Sequence, residues 1–123
     1  MKIAFLVTRI LLGVLFTVFG LNGFLHFIPT GPMPAGPAGQ FIGALSQTHY
    51  MDFVFAVQLI GGILLLVNRY VVLALTLLAP VIVNIILFHA CMAPSGLPLA
   101  FVACLLWLFS AYRYRETFAS LLR

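Results

Sequence analysis

Four apolar stretches, at about residues 3–27, 51–67, 70–88 and 97–112, occupy most of this 123-residue chain. The hydrocarbon core of a bilayer is about 30 Å thick, and a helix crosses it in about 20 residues. The stretches are near that length, and the breaks between them are distinct. Residues 29–39 are dense in Pro and Gly and are not expected to stay helical. Asn68-Arg69 is a tight break, so the third stretch must return antiparallel beside the second. Ala93-Pro94-Ser95-Gly96 reads as a turn. Residues 40–50 suggest a short surface helix, with Phe41, Ile42 and Leu45 on one side and Gln40, Ser46, Gln47 and Thr48 elsewhere. It is too short and too polar to span, so it belongs at the outer interface. Composition agrees: 64% of residues are hydrophobic and 7% are charged, against about 25% charged in soluble domains. So little charge cannot coat a water-facing surface. The expectation is an all-α membrane protein with a single transmembrane domain over residues 1–123. It is a four-transmembrane-helix bundle with a short interfacial helix in the first outer loop.

The cations orient this bundle. Lys2 and Arg9 start the first span, Arg69 lies in the second-to-third turn, and Arg113, Arg115 and Arg123 follow the fourth. Four crossings place all six on one side, and the two opposite loops hold no Lys or Arg. The positive-inside rule makes that side cytoplasmic. The expected location is the cell membrane, multi-pass, with both termini in the cytoplasm. Three or five crossings would break the partition. The net charge of +4 thus reports topology. It is not a nucleic-acid footprint, because no Lys/Arg patch with interleaved aromatics exists. Tyr50, Tyr70, Tyr112 and Tyr114 sit near span ends, where amphipathic rings favour the interface. Lys2 and the apolar run after it resemble a signal peptide. Arg9 interrupts that run and no small-x-small site precedes Gly20 and Gly23, so a retained first span is expected.

Inside a bilayer the informative residues are polar, because each is costly unless satisfied. Arg9 lies about 9 Å into the first span at 1.5 Å per residue. Its side chain points back toward the cytoplasm and can snorkel to water. It can also reach the C-terminal carbonyls of spans two and four, or Glu116. An orientation and packing role is the simpler reading, and a ligand carboxylate or phosphate is the alternative. Asn22 and His26 share a face near the outer end of span one. Gln58 sits at mid-depth on span two, on a face with Gly62, Leu65 and Arg69, with Gly61 one position around. The two glycines let another helix approach closely. On span three Thr76, Pro80 and Asn84 share a face, and Pro80 frees the Thr76 carbonyl and should kink the helix. Asn84 and His89 lie in its outer part, and His49, Asp52 and Cys91 lie just above.

Asn22, His26, Gln58, Asn84 and His89 therefore point to a polar pocket in the outer half, under the loop at 29–39. Interhelical hydrogen bonds worth about 0.6–2 kcal/mol each explain the same residues without a ligand. A small-molecule or quinone-headgroup pocket is the second reading. A haem or metal site from His26, His49 and His89 is the third, and no HxxxH or HxxE spacing supports it. Cys91 and Cys104 form no CxxC and read as two buried thiols behaving as small hydrophobes. No Asp or Glu lies inside any span, Asp52 standing at the outer end of the second, which disfavours a proton-coupled antiporter. There is no Walker loop, Gly-x-Ser-x-Gly elbow or HExxH, so no enzyme site completes itself here.

Arg9-x-x-Leu12-Gly13-x-x-Phe16-x-x-x-Gly20 resembles the opening helix of the DoxX-like membrane proteins. Gln58-x-x-Gly61-Gly62, then Leu65-Leu66 and Arg69, looks like their second span, and Pro80-x-x-x-Asn84 with His89 looks like their third. The likeness covers roughly residues 5–90, and the fourth span matches only in being apolar with an aromatic, Trp107. Many members carry a Lys after the first span, where this chain reads Asn22-Gly23-Phe24-Leu25-His26. The resemblance implies a four-helix membrane bundle. It also implies association with membrane redox assemblies, and the receptor-assembly chaperone NACHO is similar in architecture.

The leading functional expectation is a non-catalytic subunit of a quinone-linked membrane redox system, with a quinone or lipid-like ligand in the outer pocket. The second is an assembly or chaperone module offering helix faces such as Gly13/Gly20 and Ala100/Cys104/Ala111 to other membrane protein subunits. The third is a transporter of a small neutral or cationic solute. Small-residue stripes on outward faces also make a homo-oligomer plausible.

Overall fold

The computed structural model describes residues 1–29 and 31–123. One residue of the first loop, Thr30, lies outside that range. The helices are α1 (Lys2–Leu25), α2 (Pro37–Gln47), α3 (Tyr50–Leu66), α4 (Val71–Cys91), α5 (Leu97–Arg113) and α6 (Arg115–Ala119), with single 3-10 turns at Pro94–Gly96 and Ser120–Leu122. No strand occurs among the described residues. The helices α1 and α4, and the segment Pro94–Arg113, are each long and apolar enough to cross a membrane. The bent pair α2 and α3 adds a fourth such element if it is counted as one broken span, with 85° between its halves. Large apolar side chains such as Ile10, Val14, Ile60, Leu73, Val83, Leu87 and Leu105 stand exposed around the outside. This is a membrane protein's surface, since water would penalise that much apolar area.

Boundaries differ from expectation where proline and capping chemistry decide. Pro37, Ala38 and Gly39 are helical, because Pro at the first turn needs no N–H donor and brings a preset φ. Gly36 precedes them at φ 72°, a conformation that suits glycine. α4 runs through Pro80 to Cys91, three residues past its expected end. The tail after α5 forms the short helix α6.

Neighbouring long helices run antiparallel and close a ring: α1 on α3, α3 on α4, α4 on α5, and α5 back on α1. Glycines set the tightest crossing. A Cβ on Gly62 would lie 2.6 Å from the Thr17 backbone nitrogen and 2.9 Å from the Gly13 carbonyl oxygen. A Cβ on Gly20 would lie 2.8 Å from the Leu59 nitrogen. Backbones that close leave no room for side chains, and dispersion between them holds α1 to α3. Gly61 faces the other way, and a Cβ there would meet the Leu78 side chain at 2.8 Å. Both α3 glycines thus serve close approach, but toward different helices. Leu12, Phe16, Leu65, Leu75, Leu78 and Ile82 fill the centre. Trp107 Nε1 donates to the Leu75 carbonyl at 2.8 Å and ties α5 to α4. α2 lies against α3, and its Phe41 ring stacks on Phe88 of α4 with centroids 5.6 Å apart.

Candidate functional site

Helix-end chemistry accounts for two of the five polar side chains expected to converge. The Asn22 carboxamide oxygen accepts the Ile28 N–H at 2.7 Å and holds the chain as it leaves α1. His26 stands at the end of α1 in the left-handed region, φ 53° and ψ 45°, with its N–H donating to the Asn22 carbonyl. Its side chain is exposed. This is a single-residue helix stop, a position where Gly or Asn is usual.

His89 closes the opposite turn. Its Nδ1 lies 3.1 Å from the Ala93 carbonyl oxygen, its ring meets Phe88 edge-on at 5.1 Å, and Gly96 packs on it so closely that a Cβ would overlap the imidazole. The ring is a buttress for the α4–α5 connection. Gln58 is 7% exposed on the ridge of α3 that continues to Gly61 and Leu65, and no side-chain hydrogen bond engages it among the described residues. Asn84 faces outward. Its Nδ2 donates to the Pro80 carbonyl at 2.8 Å, four residues back on the same helix. Thr76, one turn before Pro80, is also exposed and back-bonds to the Val72 carbonyl at 2.7 Å.

No hydrogen bond joins any two of the five side chains among the described residues. Asn84 and His26 look away from the bundle, and Asn22 and His89 are engaged in separate turns. None of the five lines the cavity beside Arg9 or the groove between α1 and α5. His49 is exposed and pairs with Asp52 at 3.2 Å, where Asp52 also favours the N-terminus of α3. No group of three His, Cys, Asp or Glu side chains is placed to hold a metal among the described residues. Cys91, expected to be buried, is exposed, and Cys104 is half-buried. The small-residue faces expected to serve partners are spent internally: Gly13 and Gly20 press on α3, and Ala100 and Ala111 are buried.

At the cation-bearing end the expectation for Arg9 holds in geometry. Its Nη1 donates to the Leu65 carbonyl, with the Leu66 carbonyl at 3.5 Å. These are last-turn carbonyls of α3, which carry partial negative charge, and the Leu65 carbonyl also accepts the Asn68 N–H at 3.3 Å. Arg69 is exposed beside the Tyr70 ring at 5.9 Å. Glu116 makes no ion pair with Arg9 or any other cation among the described residues. Beside Arg9 a cavity of about 240 Å³ opens, lined also by Lys2, Phe5, Asn68, Ser110 and Arg113. Ser110 is 4% exposed, and its hydroxyl has no hydrogen-bond partner among the described residues. Sequence reading weighs Ser110 only as a nucleophile and sets it aside, because no His or acid stands at a suggestive spacing. The available signal was its spacing, three residues before Arg113 on one helix face. Comparison with protein-family models, with curated proteins and with solved structures finds no match for this chain.

Proposed function

We propose that the chain is a four-span protein of the cell membrane, with both termini cytoplasmic, that serves as a non-catalytic subunit of a larger membrane assembly. The observation that carries this reading is Asn84. It stands exposed on α4 about 10 Å from that helix's far end. One amide N–H is used on Pro80, and the carboxamide oxygen and second N–H have no partner among the described residues. An amide facing hydrocarbon is costly until another helix supplies a donor and an acceptor. Such interhelical bonds are worth about 0.6–2 kcal/mol each. The face Thr76–Pro80–Asn84 adds the Thr76 carbonyl, which Pro80 cannot serve.

Four crossings are supported by length and by charge. α3 has 17 residues, about 26 Å at 1.5 Å per residue, the lower end of the length of a spanning helix, which supports a crossing without α2. The 85° bend then lays α2 along the surface as an interfacial helix. Lys2, Arg9 and Arg113 share one cavity, which supports placing all the cations on one side. The DoxX-like resemblance favours a redox assembly as the setting. A bound quinone gains no support from the scattered outer residues, and the packed centre gives a transport path none.

The experiment is purification of the full chain from native membranes in a mild detergent, followed by native gel and crosslinking. The parent chain is expected to carry a stoichiometric membrane partner, and Asn84→Leu to lose it while keeping its helicity and melting temperature. Recovery of both as free monomers would overturn the subunit reading. A reporter fused to either terminus and found outside would overturn the topology.

A further inference from the structure

We propose that the cavity at the cation-bearing end binds a phosphate-bearing anion, supplied by a phospholipid headgroup. Three positive side chains, Lys2, Arg9 and Arg113, line one space of about 240 Å³, and no carboxylate lines it. The chain has two acidic residues. Asp52 is paired with His49 at the opposite end, and Glu116 is not in the lining. Helix dipoles do not settle the sign, because α1 and α4 begin here while α3 and α5 end here, and their partial charges oppose one another. The side chains therefore make the space positive.

Ser110 supplies the independent observation. Ser110 lines this cavity, and its buried hydroxyl has no partner among the described residues. A buried donor without an acceptor is penalised, so a native structure normally provides one. An anion in the cavity would accept from Ser110 and from the guanidinium nitrogens that Arg9 does not spend on α3. Arg113 is held close by the Phe5 ring, 5.6 Å from its centroid, and it makes no ion pair among the described residues.

Size and surroundings identify the anion. A volume of about 240 Å³ is below the range of about 300–1,000 Å³ typical of drug-sized ligands. It suits a headgroup. Phosphate oxygens match guanidinium forks and hydroxyl donors. The lipid source follows from the neighbouring seam between α1 and α5, an apolar groove of about 680 Å³ lined by Val7, Val102, Leu105, Leu106 and Phe109. Phe5 lines the cavity and Phe109 lines the groove, and their rings meet at 4.9 Å between centroids. The two spaces are thus separated by this pair of rings. From Phe109 to Val102 the groove descends about 10 Å into the hydrocarbon, the course of an acyl chain whose phosphate sits above.

The inference requires a bilayer-embedded chain and does not depend on a docking partner at Asn84, so each can fail alone. The test uses the full chain in detergent, with native mass spectrometry and thermal unfolding as readouts. The probes are phosphatidylglycerol, phosphatidylcholine and inorganic phosphate. Phosphatidylglycerol should be retained and should raise the unfolding temperature more than the other two. Arg113→Gln should weaken its binding about tenfold or more, as loss of a charged hydrogen bond does. Arg115→Gln removes the same charge outside the cavity and should change binding less than about twofold. Ser110→Ala should weaken binding without lowering lipid-free stability, which keeps the test valid if Arg113→Gln misfolds. Equal effects of Arg113→Gln and Arg115→Gln, or no effect of Ser110→Ala, overturn the site. Protection by inorganic phosphate equal to that by phosphatidylglycerol overturns the lipid source.

Discussion

Replacing Gly62 by Ala adds one methyl group where α1 and α3 cross. The new Cβ would stand 2.5 Å from Thr17 Oγ1, 2.6 Å from the Thr17 nitrogen and 2.9 Å from the Gly13 oxygen. The hydroxyl can rotate away, but the other two atoms are backbone. Restoring ordinary contact requires α1 to withdraw by about 0.8 Å. That shift also loosens Gly20 against Leu59 and Gly13 against Leu66, where packing is equally close. A gap of this size forfeits roughly a quarter to a half of each dispersion contact. Overpacking of this kind costs about 1–3 kcal/mol, and the better helix propensity of Ala returns at most about 1 kcal/mol. A net loss of about 1–2 kcal/mol is expected. The matched control is Gly43→Ala on α2, where a Cβ meets nothing within 4 Å. It should be neutral or stabilising by about 0.5–1 kcal/mol. Both are read by detergent-titrated or thermal unfolding followed by helical circular dichroism. A Gly62→Ala chain as stable as the parent would falsify the backbone-contact account of the α1–α3 crossing.

Trp107→Phe should lose about 0.5–1.5 kcal/mol in the same unfolding assay, because it keeps the ring packing and deletes the bond to the Leu75 carbonyl. His26→Gly should be neutral or stabilising by about 1 kcal/mol, since the left-handed conformation of residue 26 suits glycine. A loss of stability there would show that the imidazole makes a contact the helix-stop role does not include. Arg9→Leu should destabilise by about 1.5–3 kcal/mol by deleting the charged hydrogen bond to the Leu65 carbonyl, which keeps only the Asn68 N–H at 3.3 Å, and Arg9→Lys should recover part of that loss. Equal stability of Arg9→Leu and the parent would remove Arg9 from the capping role.

What sequence made legible was mostly collective. Hydropathy located the long helices to within three or four residues, and the glycine pair Gly61-Gly62 did mark close approach. Arg9 reached the end of α3 as its depth and direction required. The boundary errors had local causes. Pro37 looked like a breaker and is a helix start, because proline's missing donor matters only after the first turn. The opposite surprise is His26, a bulky residue in a backbone conformation that usually selects glycine.

The harder failure concerns facing. α4 is apolar all round, so no periodicity says which side looks inward, and the rule that polar residues face the bundle had to decide. That rule assumes a polar side chain has no partner on its own helix. Asn84 and Thr76 each have one, in carbonyls four residues back. Local back-bonding lowers the cost of an outward-facing position for both residues, although for Asn84 it uses only one amide N–H and leaves the rest to another helix. Charge is different, because a guanidinium in hydrocarbon cannot be satisfied by one carbonyl and must stay near water. Thus Lys2, Arg9 and Arg113 could be placed at one end from sequence, while amides and hydroxyls could not be placed at all without their neighbours. The same asymmetry makes the cavity at the cation-bearing end the firmer place to look for a ligand. Its three charges share one space there, and Ser110 is held beside them by the packing of α5 against α1.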